Sequence, residues 1–293
     1  MRYSMLGWAI FFFKMFLDRR RHRGAQEFKF HWRLGSSDHH RVEVVSREGN
    51  FSATCHLRKR TSDLAAFEQV FLNNDYNLRR LARWDDINAL YEKRRNEGTP
   101  AILDLGSNAG FAALYFTKNW PEACVLAVEP DSGNYRALCD NAKNHNSIEP
   151  VHAAVANSNG QVRITNPDEA EWAYRTETLQ STSDDAIPAK TVQTLVDSAS
   201  NQGKPCIPFI IKIDIEGFED NLFAQNTDWM NYFPVIIIEP HDWMLPRSGS
   251  SHNFLAEIAK GKWDIILLGE NLCCISNEHD RPLTWHKATR ETR

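Results

Sequence analysis

The side chains best suited to chemistry follow two apolar segments in the second half of the chain. The first segment, residues 209–217, reads FIIKIDIEG and carries Lys212, Asp214 and Glu216 at alternate positions. Alternate residues of an extended strand share one face, so these three charges are expected on the same face. Charges at the carboxyl end of a central parallel strand cost free energy unless they form ion pairs or take part in binding or catalysis. We therefore expect them to line a functional cleft, with an internal ion-pair network as the structural alternative.

The second segment, residues 235–242, is apolar until it reaches Glu239 and His241. The imidazole of His241 has an ordinary pKa near neutrality, which makes it the best placed general base. The carboxylates of Asp214 and Glu239 are the alternatives for that role. Asp214, Glu239 and His241 could also bind a divalent ion, but they lack a diagnostic ligand spacing, so no metal site is predicted.

A turn between a strand and a helix is the candidate cofactor site. Residues 101–111 read AILDLGSNAGF, so Asp104 ends a strand and Gly106, Ser107, Asn108 and Gly110 form the turn. A glycine without a Cβ and an asparagine that tolerates left-handed geometry allow a ligand to approach the backbone closely. The glycines are four apart, unlike those of dinucleotide-binding turns. A carboxylate would repel a pyrophosphate, whereas it suits the ammonium and sulfonium of S-adenosylmethionine.

The next strand ends in Glu129 and Pro130, nineteen residues after Gly110. Rossmann-like folds place an acid at this point to bind the two ribose hydroxyls of a nucleotide. Because a carboxylate has two oxygens, it can accept a hydrogen bond from each hydroxyl. Glu129 is therefore predicted to bind the ribose, with an acid at a helix N-terminus as the alternative interpretation.

The elements that must position these residues alternate between strands and helices after Pro100. Such an alternation of strands and helices predicts a parallel sheet. The predicted strands are residues 102–105, 125–128, 151–156, 209–215 and 235–239, with a terminal hairpin of residues 263–268 and 272–276. The predicted helices are residues 111–119, 134–144, 219–225 and 254–260.

Residues 24–98 form an accessory segment upstream of this sheet. The pattern predicts short antiparallel strands over residues 24–60, a helix that begins at Thr61 or Ser62, and a helix over residues 77–95 that Gly98 stops. Residues 157–188 are polar and acidic and predict a long loop with one strand at residues 162–165. Acceptor specificity is expected in these two segments, where Trp172 and Tyr174 of the loop could stack on a sugar.

Composition excludes several classes of protein. The 34 lysines and arginines nearly balance the 38 aspartates and glutamates, so no global charge favours nucleic acid as a partner. The six cysteines show no CxxC spacing, which favours reduced thiols and a cytoplasmic location.

The N-terminal segment, residues 1–23, is apolar over residues 6–17 and then basic. The apolar run of residues 6–17 is too short for a bilayer span of about 20 residues, and no small-residue cleavage site of a secretory signal follows it. A helix that lies on a membrane surface or on a partner, and a helix packed on the protein's own core, are the two interpretations. We divide the chain into residues 1–23, the accessory segment 24–98, a Rossmann-like domain 99–280 and a tail 281–293.

The motifs together resemble those of the FkbM family of methyltransferases. The matching stretches are residues 104–110, the step from Glu129 to Pro130, residues 212–217 and Glu239. The leader at residues 57–64 also resembles the segment that precedes the domain in many members. The resemblance covers about residues 55–276, and Ser107 stands where an alanine is common in the family.

The resemblance implies a Rossmann-like sheet with a reversed final hairpin and S-adenosylmethionine as the cofactor. It implies O-methylation of a sugar or another small hydroxylated acceptor. By position, Asp104, Gly106, Asn108, Gly110 and Glu129 would bind the cofactor, and Lys212, Asp214, Glu216 and Glu239 would face the acceptor. A nicotinamide-dependent oxidoreductase and a non-catalytic, membrane-associated binding protein are the competing functions. The acceptor's identity and the oligomeric state do not follow from the sequence.

Overall fold

The computed structural model describes residues 27–33, 39–164, 176–178, 186–201 and 204–278. The N-terminal segment 1–23, the tail 281–293 and the aromatic pair Trp172 and Tyr174 lie outside the described residues. None of the described helices is both long and apolar enough to span a bilayer.

The accessory segment forms one small sheet followed by helical turns. Its elements are β1 (Phe28–Arg33), β2 (His39–Ser46), β3 (Ser52–Arg58), α1 (Asp63–Phe67), which continues as a π-helical turn (Glu68–Asn73), a 3-10 turn (Leu78–Arg80) and α2 (Trp84–Glu97). The strands pair antiparallel in the order β1-β2-β3, as their alternation of apolar and polar residues predicts.

The rest of the described chain alternates strands and helices. The elements are β4 (Thr99–Leu105), α3 (Phe111–Asn119), β5 (Cys124–Glu129), α4 (Ser132–Ala142), β6 (Ile148–His152), β7 (Ala154–Val155), β8 (Gly160–Ile164), β9 (Thr176–Thr178), β10 (Ile187–Lys190), α5 (Val192–Ser198), β11 (Ser200–Asn201), β12 (Lys204–Ile213), α6 (Glu219–Leu222), a 3-10 turn (Thr227–Asn231), β13 (Val235–Ile238), α7 (His252–Ile258), β14 (Trp263–Leu268) and β15 (Asn271–Ser276).

The main sheet has the order β14-β15-β13-β12-β4-β5-β6. Strands β13, β12, β4, β5 and β6 are parallel, whereas β15 runs antiparallel to β13 and to β14. The predicted Rossmann-like class, a mostly parallel sheet with an antiparallel terminal hairpin, is confirmed. The chain moves outward from β4 to β6 and then returns to β12 on the other side of β4. Ligands of open α/β sheets bind at such a switch point, beside the carboxyl ends of the strands.

Each face of the main sheet is buried by a different set of elements. On β4, Ile102 belongs to a core that includes Phe67 and Phe71 of the accessory segment, whereas Leu103 belongs to a second core on the other face. Phe67 packs edge-on against Phe111 with ring centroids 5.7 Å apart. Since the accessory segment shares this core with the sheet, its helical turns cover one face of the sheet beside the switch point.

Several predicted element boundaries differ from the structure, and three of these differences have a cause that the backbone or the strand pairing shows. The helix predicted over residues 77–95 is interrupted because Leu81 is extended (φ −81°, ψ 144°), so α2 begins at Trp84. The strand predicted over residues 209–215 ends at Ile213, since Glu216 and Gly217 turn the chain with φ of 55° and 91°. The strand predicted over residues 151–156 is divided, because β7 leaves the main sheet and pairs with β10.

Candidate active site

Two adjoining cavities lie at the carboxyl ends of β4 and β12. The larger has a volume of about 710 Å³, and the smaller, of about 60 Å³, lies beside Glu129. Both are bordered by the turn after β4 and by the charged residues after β12, through Gly106, Asn108, Asp214 and Glu216. The two groups of residues singled out in the sequence therefore meet at the switch point of the sheet.

The turn after β4 is held tightly against its neighbours. The N–H groups of Gly106 and Ser107 both donate to the carbonyl oxygen of Val128 at 3.0 Å. Gly106 has a φ of 74°, and a Cβ on it would lie 1.7 Å from the carbonyl oxygen of Asp214. Asn108 adopts a left-handed φ of 49°. Only glycine fits at residue 106, because any side chain would push β12 away from the turn.

Gly110 ends the same turn and begins α3 with a φ of 83°. A Cβ on it would lie 2.6 Å from Cδ1 of Leu138, which is the end of a flexible side chain. We expect Gly110→Ala to lower the free energy of unfolding by about 2 kcal/mol, from backbone strain and overpacking together. Chemical denaturation of the purified variants measures this difference.

Gly49 offers a matched control, because it has a similar φ of 77° but a Cβ on it would meet no atom within 4 Å. Gly49→Ala is expected to cost about 1 kcal/mol, the backbone contribution alone. Equal losses in the two variants would show that the contact with Leu138 contributes nothing.

The Glu129 side chain lies at the end of β5 and borders the smaller cavity. Its Oε2 accepts the N–H of Asn108 at 2.8 Å, and its Oε1 accepts the N–H of Asp131 at 2.9 Å. Burial raises the pKa of this carboxyl to about 7, although both backbone hydrogen bonds favour the charged form. Each oxygen can accept one further hydrogen bond, which is what two vicinal hydroxyls require.

The ammonium of Lys212 joins the turn to the charged cluster. Asp104 and Lys212 are neighbours across the pair β4 and β12. The Lys212 Nζ lies 2.8 Å from the Gly106 carbonyl oxygen, 3.1 Å from Asp104 Oδ1 and 3.3 Å from Asp214 Oδ2. Burial lowers the pKa of Lys212, but the charges of Asp104 and Asp214 outweigh it and hold the pKa well above its usual value.

The His241 ring lies at the centre of four carboxylates. Its Nδ1 lies 2.8 Å from Oε1 of Glu219, and because a carboxylate only accepts, the ring nitrogen donates. Its Nε2 lies 3.3 Å from Glu216 Oε2, 3.6 Å from Asp214 Oδ1 and 3.9 Å from Glu239 Oε1. We call Asp214, Glu216, Glu219, Glu239 and His241 the acidic cluster.

The acidic cluster holds protons more tightly than free side chains do. Burial and the charge of Asp214 raise the pKa of Glu216 to about 9 and that of Glu239 to about 7. Burial lowers the pKa of His241, but the hydrogen bond to Glu219 and the charges of the other acids outweigh it and raise it to about 10. The raised pKa favours the protonated ring while no metal ion is bound, so the carboxylates of Asp214 and Glu239 are better candidates for a general base than His241.

The predicted site residues differ in which cavity they border, and two of them border neither cavity. Ser107, Lys212, Glu239 and His241 border the larger cavity, and Glu129 and Pro130 border the smaller one. Asp104 and Gly110 border neither. Asp104 is fully buried against Lys212, so a ligand in either cavity would not meet its carboxylate directly.

Three side chains of the site were not predicted from the sequence. Gln69 of the accessory segment donates from Nε2 to Glu239 Oε2 at 3.4 Å. Glu219 orients His241, and Trp243 borders the larger cavity with 67% of its side chain exposed. An aromatic residue two positions after His241 is a signal that could have identified Trp243. No local pattern marks Gln69 or Glu219, because their contacts join distant parts of the chain.

A family model matches the part of the chain that contains the candidate site. The family model of the methyltransferase FkbM domain matches residues 104–261, which is more than half of the sequence. That interval contains the turn after β4, Glu129 and the acidic cluster. A search of curated protein sequences found no match.

Solved structures provide distant matches. An FkbM methyltransferase from Methylobacillus flagellatus is 15% identical, with a TM-score of 0.42 over 60% of this chain and 43% of that one. A precorrin-6y C5,15-methyltransferase from Geobacter metallireducens is 10% identical, with a TM-score of 0.34 over 67% of this chain and 88% of that one. A fibrillarin pre-rRNA processing protein from Methanococcus jannaschii is 11% identical, with a TM-score of 0.35 over 84% of this chain and 96% of that one. These likenesses are too remote to bear on the acceptor.

Proposed function

Because the chain belongs to the FkbM methyltransferase family, we propose that it transfers the methyl group of S-adenosylmethionine to a hydroxyl oxygen of a small or saccharide-like acceptor. The family is the one that the sequence motifs predicted, and S-adenosylmethionine is the cofactor of that prediction. Family membership favours this function over a nicotinamide-dependent oxidoreductase.

Two chemically different walls border the adjoining cavities, and this arrangement is the observation that supports the proposal most strongly. The turn after β4 and Glu129 form one wall, and the members of the acidic cluster other than Glu219 form the second wall. A nucleoside with a cationic sulfur suits the first wall, because the carboxylate of Glu129 can accept hydrogen bonds from the ribose hydroxyls. A hydroxylated acceptor suits the second wall, where carboxylates can accept hydrogen bonds from its hydroxyl groups.

When bound, S-adenosylmethionine supplies a methyl group on a sulfonium, which is already a good electrophile. The chain's own residues then need to position the acceptor and remove one proton. Glu239 is the proposed proton acceptor, because it borders the larger cavity and, among the described residues, its Oε2 accepts only the long hydrogen bond from Gln69. The acceptor oxygen gains the methyl group and loses its proton to Glu239, so the products are S-adenosylhomocysteine and a methyl ether.

The test of the proposal uses S-adenosylmethionine with matched acceptors that present a hydroxyl or an amine on the same sugar or aromatic scaffold. We expect mass spectrometry to detect a methyl ether on at least one hydroxylated scaffold, together with S-adenosylhomocysteine. Methylation of the amines alone would contradict the assignment of oxygen as the acceptor atom.

Glu129 offers a separate test of the cofactor wall. We expect Glu129→Gln to weaken the binding of S-adenosylhomocysteine about tenfold, the loss typical of one hydrogen bond to a charged group. Since the carboxylate is the binding form and its pKa is about 7, wild-type affinity should fall as the pH is lowered from 8 to 6. Calorimetric titration at both pH values measures the change, which should reach up to about tenfold.

The glutamine variant is also the control for this pH dependence, because its side chain does not titrate. Its affinity should differ little between pH 6 and pH 8. An equally steep pH dependence in both proteins would assign the effect to a group other than Glu129.

A further inference from the structure

We propose that Asp214, Glu216 and His241 bind a divalent cation that accepts both oxygen and nitrogen ligands, for which Mn²⁺ is the probe. Sequence spacing alone does not reveal this site, because its three ligands come from the turn after β12 and the loop after β13. The role assigned to the cation below rests on the proposed function, whereas its binding does not.

The distances between the ligand atoms suit one cation. One atom from each of the three side chains lies within 4.8 Å of the other two. Ligand atoms about 2.1 Å from an octahedral cation lie about 3.0 Å apart when adjacent and about 4.2 Å apart when opposite. His241 Nε2 lies 3.3 Å from Glu216 Oε2 and 3.6 Å from Asp214 Oδ1, which is close to the adjacent spacing. Small movements of these three side chains would therefore bring their ligand atoms to the distances that one octahedral cation requires.

The orientation of the His241 ring is a second and independent observation. Its Nδ1 is committed to Glu219, which is 1% exposed and also accepts the N–H of Gly217 at 3.2 Å. Histidines that bind metals commonly donate their other ring N–H to a carboxylate in this way. The ring is 2% exposed, and within the described part of the chain its Nε2 makes no hydrogen bond despite facing the carboxylates. Nε2 thus faces the space between Asp214 and Glu216, where a bound cation would take the place of a proton on this nitrogen.

The charges around this space are unbalanced. The carboxylates of Asp104, Asp214, Glu216, Glu219 and Glu239 are all less than a quarter exposed. The ion pairs of the described residues bring only Lys212 and His241 to them. Carboxyl groups in excess of their cations favour the binding of a divalent cation, which takes the place of protons on such groups. The ion pairs of Lys212 reach Asp104 and Asp214 but not Glu216 or Glu219. Those two carboxyl groups are paired with His241, which is charged only when it is protonated.

The place of the cation suggests what it does for the proposed reaction. Asp214 and Glu216 border both cavities, so a cation held by them faces the acceptor side and the cofactor side together. A divalent cation polarises a bound oxygen and favours its deprotonation. We infer that one hydroxyl oxygen of the acceptor completes the coordination, which orients it toward the methyl group and makes its proton easier for Glu239 to take.

The test measures Mn²⁺ binding to the chelator-treated, full-length protein by electron paramagnetic resonance of the free ion. We expect one Mn²⁺ per chain, bound at least tenfold more weakly by Glu216→Gln and by His241→Ala. Glu270→Gln is the matched control, since this exposed carboxylate borders the same larger cavity outside the ligand set. Its affinity for Mn²⁺ should stay within twofold of the wild type.

The control separates a built site from a general attraction of cations to an acidic cavity. Undetectable binding, or equal weakening in all three variants, would overturn the cation site. S-adenosylhomocysteine titrated into the same chelated protein gives the independent readout. Retained binding of that ligand without any Mn²⁺ binding would overturn the cation site alone, whereas Mn²⁺ binding without it would count against the proposed function alone.

Discussion

Glu239→Gln is expected to lower the turnover of methyl transfer by at least about a hundredfold, the usual contribution of a general base. The glutamine keeps the size of the side chain and can still meet the long contact from Gln69. It cannot take the proton that the acceptor oxygen must lose. Affinity for S-adenosylhomocysteine should stay within about threefold, because Glu239 does not border the smaller cavity beside Glu129.

Steady-state kinetics measures this prediction as a fall in kcat with little change in KM for the cofactor. Glu270→Gln is again the control, because it removes a carboxylate from the same cavity at an exposed position. It is expected to reduce kcat by less than about threefold, the effect of a general change in local charge. Similar losses in the two variants would show that Glu239 contributes only charge and would remove it as the proton acceptor.

Lys212→Met is expected to lower the free energy of unfolding by about 3–5 kcal/mol, as removal of one partner of a buried ion pair does. Lys212 is 3% exposed, and Asp104 beside it is fully buried. Without the ammonium, the carboxylate of Asp104 loses the cation 3.1 Å away, and the carbonyl oxygen of Gly106 loses its donor at 2.8 Å. The variant should therefore unfold at a lower urea concentration.

A double variant separates the loss of charge pairing from the loss of packing. Lys212→Met combined with Asp104→Asn removes the uncompensated carboxylate and should recover about 1–2 kcal/mol relative to Lys212→Met alone. Urea denaturation followed by circular dichroism measures all of the variants. Purely additive losses would show that the two side chains do not depend on each other and that Lys212 acts only by packing.

The fold was largely predictable because its signals are local. The apolar runs before Asp104, Glu129, Lys212 and Glu239 predicted the parallel strands, and Gly106 with Asn108 predicted the turn. Strand boundaries were less accurate where a backbone turn overrides the apolar pattern. The strand that ends at Ile213 shows this, since Ile215 continues the alternation while Glu216 and Gly217 already turn the chain.

The sequence by itself determined the family, the sheet and which residues gather at the carboxyl ends of its strands, because those follow from alternation and spacing along the chain. Only the tertiary structure decided which of these side chains contact each other. It buried Asp104 against Lys212, and it placed Glu219 behind His241, where the carboxylate accepts a hydrogen bond from the ring and raises its pKa. The physical reason is that pKa values and ligand sets depend on distances of a few ångströms between residues far apart in sequence, which no local pattern specifies.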